Sequence, residues 1–557
     1  MNSMNLRANK KKVLPPLSPI KVIDIELSST LPSFRGLGDY RGLQALVRLH
    51  GRPLGYIGRP VTAGSCSAPD LKKAILSEHC GDILRHLLYN RLAVPLASDR
   101  LRIEDLIKEP CAGDNHRSLP VMTIAVCTRD RSNYLPLCLD SLNRLEYPHL
   151  DLLVVDNAPR DDSTERLVRT IHPNVRYVRE PRPGLNWARN RAIIEARGEV
   201  IAYADDDVVA DPGWAKALVG HFMEDPEIMA ITGLVAPYEL ETEAQVLFEK
   251  RGGFGKGFKR RWYPENLVNG TRVAHLYSNA GQFGTGANMA FRRCLFNRIG
   301  HFDPALDVGT PTRGGGDLEM FFRVLKEGGV LLYEPGAIAR HRHRRSKSEL
   351  RIQWTDWGSG FIAYLLRSGL AYPDERSAFI RKGLWFYWWL SIENPMRSVV
   401  GPPHLPLNVI LGQTFSSLTG PIRYLMGRFS AARIERTFGP LSQTLISDPP
   451  EFARQGENFR EKIGVFDVSL GQPLPALSEA ADYSSVRIEA YWKGRQLDTF
   501  EIPNSYHSIS ASRLREAVVD RLGLRLMDLD CKKSLDELRA ETYTALIHNF
   551  MSTDDGT

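Results

Sequence analysis

Along the chain, short and near-continuous apolar runs alternate with stretches whose apolar positions recur every three or four. The clearest series starts at VMTIAVCT (Val121 to Thr128), a strand pattern. Leu135, Cys138, Leu139 and Leu142 then follow at helical spacing. Next come a strand, DLLVVDN (Asp151 to Asn157), a helix, STERLVRTI (Ser163 to Ile171), and a strand, VRYVRE (Val175 to Glu180). LNWARNRAIIEARG (Leu185 to Gly198) predicts another helix and EVIAYADDD (Glu199 to Asp207) another strand. Short apolar strands between amphipathic helices predict an α/β, Rossmann-like, mostly parallel sheet covered on both faces. In such sheets ligands bind beyond the carboxyl ends of the strands. Those ends carry Thr128-Arg129-Asp130, Asp156-Asn157 and Asp205-Asp206-Asp207, so the three sets should line one crevice. No GxGxxG follows the first strand, which argues against a dinucleotide fold.

Around this region the pattern changes. Residues 1–20 read as a disordered basic tail, 21–110 as a small α/β module and 111–120 as a linker. The βα-alternating region spans 121–345, and 346–445 is helical and aromatic-rich. A second linker covers 446–484, before a last α/β module at 485–545. The two end modules align without a gap. With Gly51 on Gly494, Arg52 falls on Arg495, Leu54 on Leu497, Pro60 on Pro503, Ser67 on Ser510 and Leu71 on Leu514. Each reads as strand, Gly-Arg turn, strand, then a helix opened by a serine cap. Neither carries a cluster of catalytic residue types, so docking of a protein partner is the reading they suggest.

Composition adds limits. The chain has 557 residues, 43% hydrophobic and 25% charged, with a net charge of +7. That mild excess suits anionic substrates, and no sustained basic helix points to nucleic acid. Seven scattered cysteines without a CxxC suggest reduced thiols and a cytoplasmic setting. No apolar run reaches the roughly 18 residues of a membrane span. The aromatic-rich stretch 346–445 could instead touch the inner face of a membrane peripherally.

Three aspartates at the end of an apolar strand need a cation among them. Asp205 and Asp207 form a DxD suited to Mg2+ or Mn2+, and a turn or cap set is the structural alternative. Asp130 can start a helix, Asp156 can shape an Asx turn, and Arg189 can be a surface arginine. Asn288 is either a ligand contact or a turn residue. Glu239 to Ala274 reads as a mobile basic loop able to close over a ligand. Trp354 and Trp357 offer either core packing or aromatic faces for a ligand.

TIAVCTRDR, LCLDSL, LLVVDNAP, GLNWARNRAI and VIAYADDD together resemble the family-2 glycosyltransferases of GT-A fold. The likeness spans 121–345 and continues through GTGANMAFRRCLFNRIGHFD and GGGDLEMFFRVLKEGG. It implies a nucleotide-diphosphate sugar donor, foremost a UDP-sugar, and inverting transfer to a carbohydrate or lipid-linked acceptor, as in polysaccharide or glycoconjugate synthesis. Under it, Thr128, Arg129 and Asp130 contact the nucleoside, and Asp156 the base or ribose. Arg189 lies near the phosphates, and Asp205 and Asp206 near the nucleotide. Asp207, with Asp205 and the late histidine His341, holds Mn2+ or Mg2+. Asp317 is the base that deprotonates the acceptor, with Glu319 as backup. Gly316 stands where the family often has Glu, a departure that leaves open a sugar-nucleotide-binding or scaffolding protein without catalysis. A nucleotidyltransferase would need a Gly-rich loop after the first strand, which this chain lacks.

Overall fold

The computed structural model describes residues 19–108, 119–263, 280–396, 407–441 and 462–551. The expected tail to residue 18, linker residues 111–118, loop residues 264–274 and linker residues 446–461 lie outside them.

Fifteen strands are described. They are β1 (Ile20–Glu26), β2 (Gly42–Leu49), β3 (Arg52–Pro60), β4 (Met122–Thr128), β5 (Leu150–Asn157), β6 (Arg176–Glu180), β7 (Val200–Asp205), β8 (Val208–Ala210), β9 (Ile228–Pro237), β10 (Arg261–Tyr263), β11 (Asn288–Arg292), β12 (Val330–His341), β13 (Ile463–Ser469), β14 (Ser485–Trp492) and β15 (Arg495–Pro503). The central nine-stranded sheet runs β10-β12-β9-β11-β7-β4-β5-β6, with β8 paired to β12. Strands β4 to β7 are parallel, and β9 is parallel to β12. Strand β11 is antiparallel to β7 and β9, and β10 and β8 are antiparallel to β12. The sheet is thus α/β and mostly parallel. Alternate residues of β4 serve opposite faces. Ile124 and Val126 pack with Leu139 and Trp214 on one side, and Ala125 packs with Ala188 and Phe321 on the other. The chain passes from β4 outward to β6 and then returns to add β7 on β4's other side. That reversal is a topological switch point, where a crevice opens at the carboxyl ends.

The two end sheets share one topology. Strand β1 is parallel to β2 and β2 antiparallel to β3, and β13, β14 and β15 repeat this order. Each hairpin turns on two residues of positive φ, His50 (53°) and Gly51 (76°) in one, Lys493 (48°) and Gly494 (81°) in the other. Such turns match the twist of the flanking strands. Ser67 and Ser510 each cap the following helix. Both sheets and their helices contribute to one apolar core, in which Ile57 and Leu71 share a cluster with Ile488 and Leu514.

The expected linker 446–484 departs from the structure. Ile463–Ser469 forms β13, and Ser478–Asp482 a short helical turn. The strand pairs in parallel with β14 across intervening Gly- and Pro-containing sequence, so no local hairpin signal announced it. The last helix, Leu535–Met551, also extends past the expected boundary at 545.

Buried charges join the end sheets to the central one. Arg260 donates to Glu334, to Glu516 at 3.0 Å and to the Tyr89 hydroxyl at 3.0 Å. Arg52 and Arg85 also reach Glu516. Burial pushes the Glu334 carboxyl upward, but Arg260 and His221 hold it well below the usual range. The Arg260→Ala variant removes the one cation shared by both carboxylates, leaving Glu334 with His221 and Glu516 with Arg52 and Arg85. It should lose about 3 kcal/mol of stability in urea unfolding; a loss below about 1 kcal/mol would show that the contact is not what joins them.

Candidate active site

Strand pairing explains how the acidic triplet meets its partners. Asp205 lies opposite Cys127 on β4, and Thr128 lies opposite Asp156 on β5. After a two-residue turn, β8 runs antiparallel to the end of β12, placing Val208 opposite His341. This brings His341 Nε2 to 3.3 Å from Asp207 Oδ1. Asp205, Asp207 and His341 each offer a ligand atom, and all three atoms lie within 4.8 Å of one another.

Each aspartate of the triplet has its own environment. Asp206 accepts from the Thr128 hydroxyl at 2.6 Å and pairs with Arg131. Burial first, against the pull of Arg131, raises its pKa to about 6. Asp207 accepts from Arg131 Nη2 at 2.7 Å. Burial would raise its pKa, but His341 and Arg131 lower it. Asp207 Oδ1 is buried without a hydrogen-bond partner. Asp205 is pushed to about 7, by burial and then by Asp207. His341 is brought down to about 4 by burial, which keeps the imidazole neutral with a lone pair to offer. Two carboxylates and a neutral imidazole are a donor set for Mn2+ or Mg2+, and the orphaned Asp207 oxygen fits such an ion.

Beyond the triplet lies a cavity of about 1110 Å³, lined by Asp205, Arg189, Lys256, Asp307, Asp317 and Trp357, among others. Arg189 is buried rather than a surface arginine. It donates to Asp307 Oδ2 at 2.6 Å and Asn186 Oδ1 at 3.1 Å. Asp317 accepts from the amides of Gly286 at 2.8 Å and Leu318 at 2.9 Å. Its pKa is raised, first by burial and then by Asp307. Among the described residues no basic side chain forms an ion pair with Asp205 or Asp317.

One strand over, Asp156 is fully buried and accepts from the Tyr177 hydroxyl at 2.8 Å, while its Oδ1 has no partner. Burial raises its pKa. Asp130 sits at the rim in a left-handed turn (φ 52°) and accepts from the Arg160 amide at 3.0 Å. Arg129 is 41% exposed and approaches Asp130 at 3.9 Å. Asn157 holds the following turn through the Arg182 carbonyl and the Gly184 amide.

Three expectations are corrected. Glu319 does not reach the cavity. It is fully buried and bound to Arg323 at 2.7 Å, with Arg367 at 3.6 Å. Residues two apart on a helix point to different faces, so Asp317 and Glu319 cannot share a site. Asn288 is a buried strut, bonded to the carbonyls of Leu234 and Ala337 and the indole of Trp214. The described part of the segment from Glu239 is anchored rather than loose. Glu249 meets His343 at 2.8 Å, and Phe254 packs edge-on against His341.

Two residues were missed. Arg131 stands inside the quoted TRDR, and it neutralises two of the three aspartates. Asp307 comes from a turn with φ 80° and takes the space next to Gly316. A Cβ at residue 316 would lie 2.5 Å from Asp307 Oδ2 and 2.5 Å from Asn186 Nδ2. The acid absent at 316 is therefore replaced in space by one nine residues earlier.

Comparison with known proteins agrees with this geometry. Residues 123–300 match the family described as Glycosyl transferase family 2. The chain is 22% identical over 332 residues to the glucosyl-dolichyl phosphate glucuronosyltransferase of Haloferax volcanii, covering 57% of this chain and 99% of that protein. It is 24% identical over 351 residues to polypeptide N-acetylgalactosaminyltransferase 13 of Rattus norvegicus, covering 57% of this chain but only 62% of that one. Among solved structures, the mannosyltransferase PcManGT from Pyrobaculum calidifontis, in complex with GDP-Man and Mn2+, is 18% identical. That match covers 67% of this chain and 88% of the other at a TM-score of 0.32.

The crowding at 316 is testable. Gly316→Ala should displace Asp307 or the helix start and cost about 1–3 kcal/mol of stability. Thermal unfolding measures it, and a midpoint unchanged from wild type would mean that Asp307 does not occupy that space.

Proposed function

We propose that the chain is a metal-dependent, inverting glycosyltransferase that moves a sugar from a nucleotide-diphosphate donor, foremost a UDP-sugar, to an acceptor hydroxyl. The observation that carries this reading is the single cavity holding Asp317 and Asp205 beside the Asp207–His341 pair. A divalent ion bound there by Asp205, Asp207 and His341 supplies positive charge for the leaving diphosphate.

The chain's own residues do the rest. Asp156 Oδ1, buried and unpartnered, accepts a hydrogen bond from the base or ribose. Thr128 and Arg131 hold Asp206 and Asp207 in place, while Arg129 and Asp130 form the nucleoside rim. Asp317 takes the proton of the acceptor hydroxyl as that oxygen attacks the anomeric carbon, opposite the breaking bond to the diphosphate. The electron pair of that bond leaves with the diphosphate oxygen. An acceptor hydroxyl ionises far above neutral pH, so a carboxylate raised by burial and by Asp307 suits the task. Arg189, fixed by Asp307 and Asn186, keeps a positive charge behind the two free carboxylates. Trp357 at the cavity wall offers a ring face to a sugar. The acceptor is a carbohydrate or a lipid-linked glycan, the latter in keeping with the archaeal relative named for a dolichyl phosphate substrate. A binder without turnover, the reading that Gly316 and the two repeated end modules favour, has against it the Asp307 carboxylate beside Gly316.

A panel of UDP-, GDP- and dTDP-sugars with Mn2+ or Mg2+ tests this, by following release of nucleoside diphosphate. One donor should turn over with metal and not after chelation. Asp317→Asn should lose about 10²-fold or more in rate while binding the nucleoside diphosphate as wild type does. Equal rates in wild type and Asp317→Asn would remove Asp317 as the base.

A further inference from the structure

The helix Leu407–Phe438 presents its apolar residues to the outside. It packs along helix Lys347–Ala371. Apart from Val409, Ile410 and Tyr424, the buried side of the packed helix is small or polar, with Gln413, Ser416, Ser417, Gly420 and Gly427. Its outer side carries Leu407, Leu411, Phe415, Leu418, Ile422, Leu425 and Phe429, each more than half exposed, with Phe429 at 76%. Steps of three and four residues keep them in one stripe about 33 Å long. A second stripe, Ile380, Leu384, Trp388 and Ile392, runs at four-residue steps on the adjoining segment. The Tyr387 hydroxyl joins the two segments by donating to the Ser417 carbonyl at 2.7 Å. Single exposed apolar residues are ordinary, but two stripes on adjoining segments make a patch that marks an interaction surface.

Charge identifies the partner. Residues 376–396 and 407–438 hold seven Lys and Arg against two Glu. Lys382 lies 4.0 Å from the ring centre of Trp385, which is itself 46% exposed. Long apolar stripes with cationic flanks and exposed tryptophan suit the interface of an anionic bilayer. The same cationic excess would repel a second copy across this face. No helix among the described residues is long and apolar enough to cross a membrane, so the contact would be one of lying on the surface.

We propose that the outer face of helix Leu407–Phe438, with the Ile380–Ile392 stripe, docks on the surface of an anionic lipid bilayer. These segments also supply Trp389, Asn394 and Gln413 to the cavity wall, so the bilayer would lie against one side of the cavity. The inference rests on this face alone and stands whatever the donor proves to be.

Flotation of the full chain with vesicles tests it, using phosphatidylcholine alone and phosphatidylcholine with phosphatidylglycerol. The protein should float at least ten-fold better with the anionic vesicles, and salt should weaken the difference. The triple variant Leu411→Ser, Phe415→Ser, Phe429→Ser should lose at least ten-fold of that binding with an unchanged thermal midpoint, because all three side chains point outward. The pair Arg433→Glu and Arg436→Glu, which leaves the apolar stripe intact, should lose the preference for anionic vesicles. Failure to float with either vesicle would overturn the proposal. So would vesicle binding that the triple variant retains, or self-association in sedimentation that this variant abolishes, since the face would then join two copies.

Discussion

Repulsion among carboxylates is the constraint on which the rest of the site depends. Asp205, Asp206, Asp207, Asp307 and Asp317 belong to one electrostatic cluster, in which several raise one another's pKa. Two guanidiniums answer this in part. Arg131 binds Asp206 and Asp207, and Arg189 binds Asp307. On the cavity side Asp205 and Asp317 form no ion pair with a basic side chain among the described residues, although Arg189 and Lys256 line the same cavity. Under the proposed reading, this site would hold a cation at Asp205 and Asp207 and keep one carboxyl basic. The neutral His341 lets the cation share the space without adding a competing charge.

The scaffold keeps this arrangement rigid. The triplet hangs from β7 at the switch point, and β8 and β12 bring His341 to it by strand register rather than by a loop. Behind the sheet, the two end modules share one core and meet the central sheet through Arg260, Glu334 and Glu516. Both end modules are thereby tied to the same domain. A further polar contact, Arg48 with Asp211 at 2.7 Å, starts from β2 and reaches the segment just after β8. The first end module is thus tied to the segment that follows β8, and among the described residues neither end module lines the cavity.

Much of this was legible in the sequence, for physical reasons that also mark where the reading stopped. The parallel sheet announced itself because strands buried on both faces have no choice but to be apolar throughout. The triplet was legible because polar residues at the end of such a strand can only face the crevice. Asp307 was not, because its role depends on a left-handed turn and on empty space at Gly316, neither of which has a periodic signature. Arg131 was overlooked in favour of its neighbours, although an arginine beside a predicted acidic cluster is the charge that the cluster needs. Glu319 was misplaced against a rule visible in advance, since its separation of two residues from Asp317 sends it to another helix face. Strand β13 was hidden because its partner lies far along the chain and the pairing is parallel.

The central claim is that Asp205, Asp207 and His341 hold one divalent ion at the cavity that Asp317 faces. Anomalous X-ray scattering from crystals grown with Mn2+ and UDP tests it most directly. The account predicts one manganese peak in contact with Asp207 and His341 and with the diphosphate, with Asp317 free on the other side of the cavity. Diphosphate in the cavity with no manganese at these residues, or manganese bound elsewhere, would contradict it.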